Sequence, residues 1–281
     1  MAAALSRFQR HLVPNLYWRT VAPRWTDLLP VPGFSGARRR VHTAVQQATQ
    51  IDNGDADDVL SQLCRARYSD TDAPLEDKQI LHEMLFYLSA GAHGAADVLP
   101  WLFHELARHP QIEARVHQEI DTVLAGRGVG TDDLPRLQYT RQVLMETLRL
   151  YPPVWILGRR TSTDVNLGGH HLPDGTDLAF SPYAMHRHPR YFPRPDTFDP
   201  DRWTPGRSDK LPPGAYIPFG TGPRKCIGDR MAVNQILTAA ATIASYWRLR
   251  PQPGARIRAQ ARVFLKPENV LMVCEPRTAP A

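Results

Sequence analysis

The sequence predicts a mainly α-helical fold with a small β portion, an α+β class. Between residues 75 and 151, apolar side chains recur at helical spacing in three successive stretches. After residue 153 the pattern changes to short alternating runs broken by Gly and Pro, which is typical of strands joined by tight turns. At 281 residues and 42% hydrophobic, the chain is long enough to bury a substantial core. We therefore expect a single domain over residues 1–281, in which residues 1–28 are poorly assigned.

The elements are predicted in order from their start and stop signals. Helices are expected over residues 34–51, 55–67, 75–109, 111–124, 137–151 and 227–247. Pro110 opens the fourth helix, Pro152-Pro153 stops the fifth, and Pro100 should kink the third, because proline lacks a backbone donor. Short strands and turns are expected over residues 159–184, an irregular Pro-rich stretch over 186–220 and a closing β-hairpin over 248–276.

Charge and cysteine content exclude several classes of protein. The net charge of +6 comes from 34 Lys and Arg against 28 Asp and Glu, without the sustained basic stripe and interleaved aromatics that nucleic-acid binding needs. A basic surface suits an acidic electron-transfer partner instead. Three widely spaced cysteines form no disulfide framework, which favours the cytoplasm. No apolar run reaches about 18 residues, so we expect no membrane span.

One cysteine lies in a loop of unusual composition. Residues 219–228 read Phe-Gly-Thr-Gly-Pro-Arg-Lys-Cys-Ile-Gly. Gly222 and Gly228 let the backbone pass close to a bulky group, and the helix that follows Cys226 favours a thiolate at its N-terminus. Arg224 can pair with an anion. Cysteine thiolate is an axial ligand of haem iron. A lone cysteine in a turn is more often structural, but Phe219, the glycines and the arginine together favour the iron ligand.

A second motif precedes this loop. Glu146 and Arg149 are three residues apart in the fifth predicted helix and therefore share one of its faces. Arg202, in the later Pro-Asp-Arg-Trp stretch, supplies a second arginine to the same carboxylate. An isolated Glu-x-x-Arg is usually a surface salt bridge, but the three elements together favour a charge-assisted cluster that braces the cysteine loop.

These three motifs resemble, in order, the signatures of the cytochrome P-450 family. The haem-binding signature is matched at Phe219, Gly222, Arg224, Cys226 and Gly228. The resemblance runs from about residue 29 and covers the C-terminal two thirds of the family's length. It is strongest to bacterial members of the eukaryote-like branch. It implies a cytochrome P-450-like fold lacking its N-terminal part, with Cys226 bound to the iron of haem b.

The resemblance also implies roles for residues outside the motifs. Arg159, with Arg160 as the fallback, and Arg224 would pair with the two haem propionates. The substrate pocket would be lined by Val154, Trp155, Ile156, Leu157, Val263 and Phe264. All six are apolar, so we expect a hydrophobic substrate, although ordinary core packing would explain them equally well.

The long predicted helix departs from the family pattern. Gly91 stands where the family approaches the flat cofactor closely, but His93 occupies the position of an acid and Gly94 that of a threonine. In the family these two side chains deliver protons during oxygen activation. His93 can shuttle protons near neutral pH. It would otherwise simply face packing or solvent.

The leading expectation is a haem-thiolate monooxygenase that inserts one oxygen atom of dioxygen into a hydrophobic small molecule, a terpenoid or fatty acid. Electrons from NAD(P)H would arrive through a ferredoxin or flavoprotein. Two alternatives stay open. One is a peroxide-using or isomerising haem-thiolate enzyme, which Gly94 favours. The other is a non-catalytic truncated remnant or auxiliary binding protein, which the missing N-terminal part favours.

Overall fold

The computed structural model describes residues 58–262 and 264–277, together with Thr43 and Gln47. Its helices are α1 (Val59–Arg65), α2 (Asp77–Arg108), α3 (Pro110–Leu124), α4 (Gln138–Leu150), α5 (Pro182–Met185) and α6 (Asp229–Tyr246). Its strands are β1 (Leu157–Arg160), β2 (Val165–Leu167), β3 (His170–Leu172), β4 (Asp177–Phe180), β5 (Trp247–Pro251), β6 (Arg258–Ala261), β7 (Leu265–Glu268) and β8 (Met272–Pro276). The predicted α+β class is confirmed. Of the helix expected over residues 34–51, only Thr43 and Gln47 are described, both with helical backbone, and the rest lies outside the described residues.

The helix ends follow local chemistry. Pro110 is the first residue of α3, where its missing N–H costs nothing, and Ala125 ends that helix in the left-handed conformation with φ 47°. Helix α4 ends at Leu150, just before the two prolines. Helix α2 continues through Pro100 without a break. The kink expected at this proline stays a prediction.

The chain separates into two compact units after His93, within α2. In the first unit, the Asp58 side chain caps α1 by accepting a hydrogen bond from the Ser61 N–H at 2.7 Å. A bridge between Arg67 and Pro74 closes the turn that follows. The second unit, from Gly94 onward, contains the motifs on which the functional argument depends.

The strands of the second unit form four antiparallel pairs. Strand β1 pairs with β4 and encloses the pair β2–β3. Strand β5 pairs with β8, with Trp247 opposite Pro276, and encloses the pair β6–β7. The predicted closing hairpin is therefore two nested hairpins, because Pro253-Gly254 and the turn around Asn269 (φ 58°) bend the chain within it.

The core of the second unit lies between α3, α4, α6 and the later part of α2. Fully buried side chains include Ile120, Val143, Leu144, Leu237 and Ala241. Small residues on α6, such as Ala240 and Ala244, allow its neighbours to pack closely. This core fixes α4, which carries the Glu-x-x-Arg motif, and α6, which follows the cysteine loop. Within the part of the chain that the structure describes, no helix is long and apolar enough to cross a membrane.

Candidate functional site

The cysteine loop is a compact turn that precedes α6. A short 3-10 turn covers Gly222–Arg224, and the Lys225 N–H donates to the Gly222 carbonyl at 3.0 Å. The Cys226 N–H donates to the carbonyl of Phe219 at 2.9 Å, which closes the loop on itself. Gly222 has φ 70°, a conformation that a residue with a Cβ rarely adopts. Glycine at this position is therefore required by the turn.

The Cys226 thiol is exposed and forms no disulfide. Gly228 lies next to the thiol, because a Cβ added there would be 4.0 Å from the Cys226 sulfur, in ordinary van der Waals contact. The adjacent Ile227 side chain is also exposed. Lys225 Nζ pairs with Asp229 at 2.5 Å and lowers the pKa of that carboxyl group. The loop thus presents a thiol next to an apolar side chain.

Two predicted propionate-binding arginines are available for an anion. Arg224 is exposed and forms no ion pair within the described residues. Arg159 donates to the Gly158 carbonyl at 2.8 Å, and its guanidinium lies 5.6 Å from the ring centroid of Phe180. By contrast, Arg160 is engaged by both oxygens of Asp177 at 2.7 Å. Of the two neighbouring arginines, Arg159 is therefore the better candidate.

Glu146 lies in a buried cluster with both arginines. Its carboxylate accepts two hydrogen bonds from Arg149 at 2.9 Å and one from Arg202 Nε at 3.2 Å. The Asp199 N–H and the Trp203 indole N–H donate at 2.9 and 3.0 Å. The Glu146 and Arg149 side chains have no exposed surface. One negative charge is thus shared by two guanidinium groups from different segments.

The arginines use their remaining donors to hold the irregular stretch. Arg149 donates to the carbonyls of His186 at 2.8 Å and Thr197 at 3.2 Å. Arg202 donates to the carbonyl of Arg194 at 2.7 Å. The cluster therefore fastens α4 to the backbone of residues 186–203.

A residue that sequence reasoning did not assign connects this cluster to the loop. The His186 Nε2 accepts a hydrogen bond from the Ile217 N–H at 2.9 Å, and the imidazole is fully buried. Burial, the largest cause, lowers the pKa of His186 to about 4, and the nearby charges of Arg149 and Arg187 also lower it. The sequence alone assigns His186 no role, since a hydrogen bond across 31 positions leaves no spacing pattern.

The two stretches predicted to line the substrate pocket lie together. The Leu265 N–H donates to the carbonyl of Pro153 at 2.8 Å, and the Trp155 indole donates to the carbonyl of Arg262 at 2.8 Å. Phe264, Val154 and Leu157 are partly buried in this region of the chain, and Ile156 is exposed. Val263 lies outside the described residues.

The three positions singled out in α2 have helical backbone. A Cβ added at Gly91 or at Gly94 would meet nothing within 4 Å. The side chain of His93 lies outside what the structure describes. A groove of about 390 Å³ is lined by Arg141, Phe219, Asp229, Arg230, Val233 and Asn234. It lies at the start of α6 and includes none of the predicted substrate-pocket residues.

Comparison with known proteins identifies the family. Residues 36–274 match the family model described as Cytochrome P450. The chain belongs to the cytochrome P450 family.

Curated P450 relatives from streptomycetes match most of this chain. The chain is 42% identical over 270 residues to cyclooctat-9-en-7-ol 5-monooxygenase of Streptomyces melanosporofaciens, covering 94% of this chain and 59% of that protein. It is 40% identical over 253 residues to pentalenene oxygenase of Streptomyces avermitilis, covering 88% of this chain and 56% of that protein. The chain thus spans rather more than half the length of these relatives.

Solved P450 structures have the same fold. The haem domain of cytochrome P450DA superposes with a TM-score of 0.87 at 26% identity, covering 99% of this chain and 61% of that one. A second structure, described as a cytochrome P450 (CYP102L1), gives a TM-score of 0.80 at 26% identity, covering 86% of this chain and 56% of that one.

The residues of this P450 fit the haem that the family implies. An exposed, unbridged thiol at Cys226 is the donor that a thiolate-ligated iron requires. Gly228 leaves space beside the sulfur. Arg224 and Arg159 have no carboxylate partner within the described part of the chain, so each can take a propionate.

Proposed function

We propose that this chain is the haem-thiolate part of a monooxygenase that inserts one oxygen atom of dioxygen into a hydrophobic small molecule. The exposed Cys226 thiol, in a loop closed by the carbonyl of Phe219, is the observation that carries the proposal. Haem b, when bound through this thiolate, supplies the activation of dioxygen. The second oxygen atom leaves as water, which takes up two protons and two electrons, the electrons coming from a redox partner.

The chain's own residues would hold the cofactor. Arg224 and Arg159 would pair with the propionates, and Gly91 would permit close approach of the helix. Trp155 and Phe264 would supply apolar surface for the substrate; their segments are joined by one backbone hydrogen bond and by the Trp155 indole bond to the Arg262 carbonyl. Ordered water, the substrate or His93 delivers the protons, since Gly94 carries no hydroxyl.

The substrate is best sought among terpenoids. One relative is named for an unsaturated alcohol, cyclooctat-9-en-7-ol, and another for an unsaturated hydrocarbon, pentalenene. Such molecules suit an apolar lining, as a fatty acid also would. Terpenoids and fatty acids can be titrated into the haem-loaded protein while its absorption is recorded. The spectral shift that each compound produces on binding ranks the candidates.

Electrons reach the haem from NAD(P)H through a ferredoxin or a flavoprotein. The net charge of +6 supports an acidic partner, and the proposed setting is the cytoplasm. Product formed with each candidate donor, with NAD(P)H alone as the control, identifies the partner class.

The absorption spectrum of the reduced, carbon monoxide-bound protein tests the ligand. We expect the strongly red-shifted Soret band of thiolate-ligated iron in the wild type and its loss in Cys226→Ala. Cys274→Ala is the matched control, because Cys274 is also exposed but lies in β8. A wild type without the band, or a Cys226→Ala protein with it, would overturn the assignment. Haem-free wild type would favour an auxiliary binding protein.

A second candidate function is a peroxide-using or isomerising haem-thiolate enzyme. Gly94, which stands where a proton-delivering hydroxyl is expected, favours it. Hydrogen peroxide already carries the two electrons that dioxygen needs from a donor. Product formed with peroxide alone, at a higher yield than with the complete donor system, would select this candidate over the monooxygenase.

A further inference from the structure

We propose that His186 is a positioning residue of the haem-thiolate site, fixing the start of the cysteine loop to the Glu146 cluster. The inference rests on the proposed function, which makes Cys226 the iron ligand. Two different groups of His186 make the two connections. Its backbone carbonyl accepts from Arg149 at 2.8 Å, and its ring Nε2 accepts from the Ile217 N–H at 2.9 Å.

The connection reaches the thiol through a short stretch of hydrogen-bonded backbone. The Ile217 carbonyl accepts from the Gly220 N–H at 3.0 Å, and the Phe219 carbonyl accepts from the Cys226 N–H at 2.9 Å. A continuous series of contacts therefore runs from the Glu146 carboxylate, through the Arg149 guanidinium and His186, to the loop. A displacement of Ile217 is passed to the backbone that orients Cys226.

The bond to Ile217 determines the form of the ring. A backbone N–H can only donate, so Nε2 must be unprotonated and the neutral ring carries its proton on Nδ1. The imidazole is fully buried, with the Phe192 ring centroid at 6.4 Å and that of Tyr216 at 5.2 Å. The guanidinium groups of Arg149 and Arg187 oppose a positive charge there. His186 is therefore held as a neutral acceptor.

Packing alone does not explain this arrangement. An apolar side chain of similar volume would fill the space but leave the Ile217 N–H without its acceptor, and Ile217 itself is buried. The start of the loop would then move to satisfy that donor with water. A glutamine differs, since its side-chain carbonyl can accept the same hydrogen bond.

The experiment compares His186→Leu with His186→Gln and uses His117→Leu as the control. His117 is likewise buried, and its ring Nδ1, like that of His186, has no hydrogen-bond partner within the described residues; it lies on α3, however, and not in the stretch that precedes the cysteine loop. In the haem-free protein, His186→Leu should speed hydrogen exchange of the Ile217 and Cys226 amides by about tenfold, as expected when a protecting hydrogen bond is lost. His186→Gln should restore slow exchange, and His117→Leu should leave both amides unchanged.

The haem-loaded protein gives a second readout. In His186→Leu, part of the reduced carbon monoxide complex should lose the red-shifted Soret band, and His186→Gln should recover it. Unchanged exchange and spectrum in His186→Leu, or the same changes in His117→Leu, would overturn the proposal. If the wild type lacks the band, the proposed function fails, but the exchange measurement still decides the role of His186 in fixing the loop.

If His186→Leu does not fold, a second pair of variants, His186→Asn and His186→Gln, makes the same test. His186→Asn has the chemistry of His186→Gln but a side chain one methylene shorter, which does not reach the Ile217 N–H. Faster exchange at Ile217 in the asparagine variant than in the glutamine variant supports the proposal. Equal exchange in the two variants overturns it.

Discussion

At the scale of single residues, Glu146 satisfies both carboxylate oxygens without water. Oε1 accepts from Arg149, Arg202 and the Asp199 backbone, and Oε2 accepts from Arg149 and Trp203. The charge is buried together with two positive partners, so removing it leaves two guanidinium groups without their counter-ion. The cost of such a loss exceeds the net value of the pair, because the uncompensated charges stay buried.

Glu146→Ala should therefore lower the free energy of unfolding by roughly 3–5 kcal/mol and reduce the yield of haem-loaded protein. Asp177→Ala is the matched control. It breaks the Arg160–Asp177 pair, whose side chains are more than half exposed, and should cost less than about 1 kcal/mol. Urea denaturation measures both. Equal costs would show that burial of the Glu146 cluster adds nothing.

The pair His93 and Gly94 gives a second residue-scale prediction. In the proposed monooxygenase, His93→Asp with Gly94→Thr should raise the ratio of product to NAD(P)H consumed, because the hydroxyl and acid restore proton delivery. Threonine fits, since a Cβ at residue 94 meets nothing within 4 Å. The two single variants are the controls. The opposite result would be a wild type that already turns most of the NAD(P)H it consumes into product and a double variant with a lower ratio. It would indicate that this helix delivers protons by a relay that does not need the acid and the hydroxyl.

The residues of the motifs could be predicted from the sequence, but the distant residues that hydrogen-bond to them could not. Glu146 and Arg149 are visible as an i, i+3 pair, and Cys226 is marked by the glycines around it. His186 and Ile217 are 31 residues apart in irregular segments, where no periodicity says which ring meets which amide. Such contacts depend on the packed tertiary structure.

At the scale of elements, α3 receives arginines from two later segments. Arg250 of β5 binds both oxygens of Glu113 at 2.8 and 2.7 Å. Arg277 binds Asp121 at 2.6 Å and the carbonyl of Ala244 in α6 at 2.6 Å. The sequence predicted α3 and α6 from their periodicity, but not these pairings across more than 130 positions. Arg277 thereby also holds the end of α6 that is farther along the helix from the cysteine loop.

Arg250→Ala should lower the free energy of unfolding by about 1–3 kcal/mol, because the buried carboxylate of Glu113 loses its bidentate partner. Arg248→Ala is the control, since Arg248 lies on the same strand and is exposed. Its effect should stay within about 0.5 kcal/mol. Thermal unfolding of both variants measures the difference. Similar shifts of the unfolding temperature in the two variants would mean that the Arg250–Glu113 pair does not stabilise the packing of β5 against α3.

At the scale of the whole molecule, stability should fall on acidification. Burial lowers the pKa of both His117 and His186 to about 4 from the ordinary 6.5. Between those values the unfolded chain binds protons that the folded chain does not, so unfolding becomes easier as the pH drops. Above about pH 6.5 neither histidine contributes to the pH dependence.

The low pKa of His186 alone should reduce the free energy of unfolding by about 3 kcal/mol as the pH falls from 6.5 to 4. His186→Gln should therefore show a shallower dependence of the unfolding free energy on pH over that window. His171→Gln makes the same replacement at an exposed position and is the control. Denaturant titrations at a series of pH values provide the slopes. An unaltered slope in His186→Gln would contradict the assignment.

The whole-chain architecture was only partly predictable. Length, the order of helices and the change of pattern after Pro153 give the α+β class. The nesting of β6–β7 inside β5–β8 was not foreseen, because alternation identifies strands but not their partners. The separation of the chain after His93 lies within a continuous helical pattern, where sequence shows no boundary.

Because the Cys226 thiol is exposed, the fraction of molecules that hold haem can be measured by chemical labelling. All three cysteines of the chain are exposed and unbridged, so an alkylating reagent should add three labels to each molecule that holds no haem. A sulfur bound to iron is not available to that reagent, whereas Cys64 and Cys274 stay reactive. The intact mass after labelling then reports, molecule by molecule, what fraction of a preparation holds its cofactor.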